Sequence, residues 1–101
     1  MMTDPIEQVL VGKEYSVPQW LHSGYAILIN RKEMLSLEEA RRLNFQTAFL
    51  LCQAREEMWS AIRQKHFISP SDIIERCFKE ELQEILVACA QYEVERLYML
   101  V

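Results

Sequence analysis

All three prolines of this 101-residue chain stand one or two places after a residue with a capping side chain: Asp4-Pro5, Ser16-Val17-Pro18 and Ser69-Pro70. Proline lacks an N–H and holds φ near the helical value, so it is tolerated in the first turn of a helix and breaks one elsewhere. A chain that confines proline to these places, and carries only two glycines, is written for helices. Turn-rich β folds and phosphate-cradling loops draw on glycine. The scarcity argues against both.

The helices can be read in order. In "DPIE" (4–7), Asp4 caps, Pro5 takes the first helical position and Glu7 completes a capping box. Ile6, Val9, Leu10 and Lys13 then share a face, giving a helix over 5–15. In "SVPQ" (16–19), Ser16 is expected to cap a second helix over 17–30, with Gln19 reaching back. Its apolar stripe is Val17, Trp20, Leu21, Tyr25 and Leu28. "NRKEML" (30–35) is a connector, and "SLEE" (36–39) is a third capping box that starts a short helix burying Leu37, Ala40 and Leu43. Asn44 suits either the end of that helix or the cap of the next.

The fourth helix is expected from Phe45 to His66, with Phe45, Ala48, Phe49, Cys52, Met58, Trp59 and Ile62 facing the core and "QAREE" (53–57) facing water. "SPSD" (69–72) is the last start signal. From Pro70 to Leu100 apolar residues recur at three-to-four spacing with no further Gly or Pro. An unbroken helix of that length would run ~45 Å, more than one small domain covers. Either it breaks near Lys79–Leu82, or its C-terminal half packs on another chain. No strand pattern and no internal repeat is visible. The expected fold is all-α: one domain over 1–101, a small antiparallel bundle of five to six helices.

Composition narrows the function. Half the residues are apolar and 26% are charged, an ordinary globular balance. Net charge is −4 and no Lys/Arg-rich face appears, so no nucleic-acid partner is expected. The three cysteines, Cys52, Cys77 and Cys89, lack C-x-x-C spacing and point to neither a disulfide framework nor zinc. They fit an intracellular setting, cytoplasmic or nuclear. "MMTDPIEQ" is no signal peptide, and the longest apolar run, "YAILI" (25–29), is too short for a membrane span. No membrane partner is expected.

The stretch "PQWLHSGY" (18–25) poses the sharpest chemical question. His22 and Ser23 make a small hydrolase conceivable. Helical neighbours point about 100° apart, however, and need a third element to act as nucleophile and base. The stretch also fails the G-x-S-x-G pattern, because Leu21 holds the first glycine position. Two histidines without ligand spacing make no metal site, and Glu38-Glu39, Glu56-Glu57 and Glu80-Glu81 read as solvated charge. No catalytic, metal or cofactor-binding residue is assigned, and no cofactor is expected. Gly24 and Gly12 carry more information. Glycine inside a helix costs about 1 kcal/mol against alanine, so each marks a close crossing, for which Tyr15 and Tyr25 are candidate partners.

With these residues in order the chain resembles a known group. "GKEYSVPQWLHSGY" (12–25), "LSLEEARRLNFQTA" (35–48) and "CQAREE" (52–57) are similar to the region directly after the BTB/POZ domain in basidiomycete fungal proteins. The resemblance spans residues 4–58, a little over half the chain. It implies a BACK-like helical platform in an adaptor, with no active site; the BTB domain itself is absent from this sequence. The expected function is therefore a non-enzymatic protein–protein interaction module, a helical scaffold of a fungal BTB-type protein. The protein partner is unidentified. Ile85, Leu86, Tyr92, Leu97, Tyr98 and Leu100 are the candidate interface residues, since apolar positions are in surplus there. The alternatives are a homodimer formed through the C-terminal helix, and the same residues closing the chain's own core.

Overall fold

A computed structural model describes residues 4–99, with side chains described up to residue 91. The fold is all-α, as expected. Six helices follow one another: α1 (Pro5–Glu14), α2 (Pro18–Asn30), α3 (Leu37–Leu43), α4 (Phe45–Arg63), α5 (Pro70–Cys77) and α6 (Lys79–Met99). The helix break comes at Phe78, one residue before the expected window, where φ −113° and ψ 24° end α5.

The start signals act locally, with one reassignment. Asp4 accepts the Ile6 N–H (3.0 Å) and caps α1. The Ser36–Glu39 capping box is closed in both directions, at 3.1 and 2.9 Å. Asn44 takes both of its expected roles: it ends α3 with φ 81° and accepts the Thr47 N–H (2.9 Å) to cap α4. Ser16 is the correction. It adopts φ 54° while the Val17 N–H reaches back to the Gly12 carbonyl (2.9 Å), a Schellman ending for α1. Val17 is the N-cap of α2 without a side-chain bond. The same device ends α4 at Arg63, short of His66: Lys65 has φ 60° and the His66 N–H bonds the Ala61 carbonyl at 2.9 Å.

Both glycines belong to one contact. A Cβ at Gly12 would lie 2.8 Å from the Leu21 backbone nitrogen, and one at Gly24 would meet Val9 Cγ2 at 2.7 Å and the Pro5 carbonyl at 3.0 Å. The late part of α1 thus meets the early part of α2 and the reverse, which makes the pair antiparallel. The close approach is to Leu21, Val9 and Pro5 rather than to either expected tyrosine, and Tyr15 is exposed. Missing side chains let two backbones approach.

α2 is the central element, touching α1, α4, α5 and α6, while α3 bridges α1 and α4. Its buried residues Leu21, Tyr25, Leu28 and Ile29 meet Ile6 and Val9 of α1, Leu51 and Ala54 of α4, and Ile73, Ile74 and Phe78 in one core. Tyr25 stacks on Phe78 with centroids 4.0 Å apart and planes 17° from parallel, a contact worth about 1 kcal/mol beyond its buried area. Trp20, expected in this core, stands 44% exposed.

A polar cluster fastens α6 onto that core. The Tyr25 hydroxyl donates to Glu81, Lys13 Nζ lies 3.3 Å from the Glu81 carboxylate, and the same ammonium donates to Thr47 Oγ1 at 2.7 Å. Four helices meet through these four side chains. Burial and then the Glu81 hydrogen bond push the Tyr25 hydroxyl far above the ordinary tyrosine range, so it remains a donor. Glu81 was expected on a solvated face; its half-buried carboxylate is instead a structural acceptor.

Candidate functional site

The outward face of α4 is the most unusual surface of the molecule. Its inward face is made of Thr47, Ala48, Leu51, Ala54, Arg55 and Ala61. Phe45 is 74% exposed, Phe49 is 65% exposed, and Cys52 one turn on is exposed as well. Spacings of four and three residues align them on one stripe. Sequence reading assigned these three, and the exposed Ile62, to the core and left 53–57 in water. The helix is rotated relative to that expectation, and Arg55 is the reason. Its buried guanidinium donates to the carbonyls of Leu28 (2.7 Å), Ile29 (3.2 Å), Arg31 (2.7 Å) and Lys32 (3.2 Å). These are orphan carbonyls at and beyond the C-terminus of α2, where the helix dipole favours a cation. Seating Arg55 there turns position 55 inward and positions 45, 49 and 52 out.

Beside this stripe lies a shallow recess lined by Lys32, Met34, Cys52, Arg55, Glu56, Trp59 and Arg63. Met34 is largely exposed, and Arg63 pairs with Glu56 at 3.2 Å. Trp59 is partly buried, as expected of a core residue, yet its indole nitrogen is shielded without a hydrogen-bond partner. Leu37, expected to be buried by α3, is exposed too, because α3 turns Leu43 inward instead.

α6 divides the sequence-predicted interface. Ile85 packs against the chain's own core together with Leu82 and Cys77, so the closing-the-core alternative holds at that position. Leu86 is 56% exposed, and its neighbour Val87, which the sequence reading did not single out, is 53% exposed. Tyr92, Leu97 and Tyr98 belong to α6, but their side chains lie outside the described ones, and Leu100 lies outside the described residues. The missed Phe45, Phe49 and Val87 share one signal: each faces away from the smaller residues or the core contacts of its own helix.

The titratable groups mostly serve the scaffold. His22 and Ser23 are consecutive on α2, Ser23 is exposed, and neither side chain makes a hydrogen bond among the described residues. His66 is exposed beyond the end of α4. Glu39 closes the capping box and receives both Arg31 guanidinium nitrogens (2.6 and 3.1 Å), which lower its pKa to about 2. Glu7 and Asp4 hold Arg42, joining α1 to α3, and Glu57 holds Arg76, joining α4 to α5. Burial, then the Glu57 carboxylate, raise the Cys77 thiol and so keep it protonated. Among the described residues no His, Cys, Asp and Glu group has the arrangement of a metal site, and no helix is long and apolar enough to cross a membrane.

Searches of protein-family models, curated proteins and solved structures found no match to this chain.

Proposed function

We propose that this chain is a non-enzymatic protein–protein interaction module, a helical scaffold or adaptor segment of a fungal BTB-type protein, acting inside the cell. The observation that carries the reading is the outward face of α4. Two phenylalanines and a cysteine stand in water on a helix whose inward face is built from alanine, threonine and a buried arginine. An exposed apolar patch of large side chains is a frequent mark of a binding surface, and aromatic residues are the commonest anchors of such surfaces. The motifs "GKEYSVPQWLHSGY" and "LSLEEARRLNFQTA" support the BTB-associated assignment by resemblance. They belong to the platform beneath: Gly12, Leu21, Gly24 and Tyr25 set the α1–α2 crossing, and Ser36 with Glu39 starts α3.

The test is affinity capture from a basidiomycete extract with the wild-type chain and a Phe45→Glu/Phe49→Glu double variant as parallel baits. Proteins recovered by the wild type and lost with the variant, at equal helix content by circular dichroism, support the reading. Identical recovery with both baits sinks it.

A further inference from the structure

α6 has two apolar faces, and the body covers one of them. Phe78 is buried, and Leu82 and Ile85 are packed against the core. Val87 is two residues beyond Ile85, about 200° around the helix, and it is exposed with Leu86 beside it. Counting from Val87, the positions three, seven and ten residues on hold Ala90, Val94 and Leu97, all within the helix. That is the alternating three-and-four spacing of a and d positions in a heptad. An open groove lined by Glu80, Gln83, Glu84, Val87, Ala88 and Gln91 runs along its first half. A helix that is apolar on opposite sides is one that is covered on both.

We infer that this second line is the seam on which α6 of a second copy of the chain packs, the two helices running parallel. The inference names a partner for the interaction module proposed above and rests on that reading, but it uses a different face. A seven-residue repeat is the register that keeps one line facing a like helix along its whole length. Charge selects the like copy and the direction. With Val87 at an a position, Lys79 falls at g and Glu84 at the e position five residues on, which oppose each other across a parallel pair. Both are exposed, and neither has an ion-pair partner among the described residues. Because the body sits on the other side of α6, the two bodies lie on opposite sides of the seam and do not collide. The result is a closed two-fold dimer.

Sedimentation velocity of the full chain, from micromolar to near-millimolar concentration, tests this. The wild type is expected to form a dimer with rising concentration, and Val87→Glu to stay monomeric throughout with unchanged helix content. Lys79→Glu alone should weaken the dimer about threefold, the size of an exposed ion pair, and the Lys79→Glu/Glu84→Lys exchange should restore it. The charge pair carries the test if Val87→Glu loses helix. A wild type that remains monomeric overturns the inference, as does a dimer indifferent to both Val87→Glu and the charge exchange. Capture through Phe45 and Phe49 is read separately. A monomer that still captures a partner refutes the dimer alone; a dimer without such capture refutes the α4 reading alone.

Discussion

The two faces of α4 obey opposite rules. The inward face carries Ala48, Ala54, Ala61, Thr47 and Arg55, with Leu51 as its one large apolar residue. The outward face carries Phe45 and Phe49. Hydrophobicity alone would turn this helix around. Close approach explains why it does not: small residues let α4 settle near its neighbours, and Arg55 contributes charged hydrogen bonds that phenylalanine could not. The same logic governs the α1–α2 contact, where two glycines replace larger side chains. Inside this protein fit outranks apolar area, and the large apolar residues that fit nowhere inside remain for partners.

Breaking the inward rule should have the largest effect. Arg55→Met keeps the volume but strips four carbonyl acceptors of their donor. Buried groups left unpaired cost about 1–3 kcal/mol each, and local relaxation recovers part of that. The expected loss is about 3 kcal/mol in urea denaturation. A neutral outcome would mean that Arg55 does not set the rotation of α4.

Gly12→Ala comes next. The added Cβ meets Leu21 backbone, which has no rotamer to yield. Overpacking costs typically 1–3 kcal/mol, and the helix propensity of alanine returns about 1 kcal/mod of it per glycine replaced. A net loss of about 1–2 kcal/mol is expected from the shift in denaturation midpoint. Stabilisation instead would show that α1 and α2 are farther apart than the structure places them.

How much of this was legible in the sequence follows from range. Capping is a matter of three or four residues, so Asp4, Ser36 and Asn44 announced their roles. Ser16 did not, because choosing between ending α1 and starting α2 depends on whether Val17 reaches Gly12. The glycines announced a close crossing but could not name what crosses. The rotation of α4 was illegible, since it depends on carbonyls at the end of α2 that lie more than twenty residues away in sequence. In α6 the apolar surplus was plain, but sorting Ile85 from Leu86 and Val87 required knowing which side the body takes.

A smaller effect separates local from tertiary fastening. Glu39 keeps its charge in the folded chain down to about pH 2, whereas its ordinary pKa is 4.5. Its ion pair and capping bond therefore stabilise the fold fully above about pH 5, and that contribution fades as pH falls from 4.5 towards 2. The stability difference between wild type and Glu39→Gln should be about 1 kcal/mol at neutral pH and should close across that window. A difference independent of pH would assign the effect to packing rather than to the carboxylate.

The smallest expected effect is the most telling. Urea denaturation of Phe45→Ser/Phe49→Ser against wild type, at a concentration where the chain is monomeric, asks whether the outward face of α4 belongs to the fold. If those rings serve partners, stability changes by no more than about 0.5 kcal/mol, as for other exposed positions. A loss of several kcal/mol, the size seen when buried phenylalanines are truncated, would place them in the core and contradict the account.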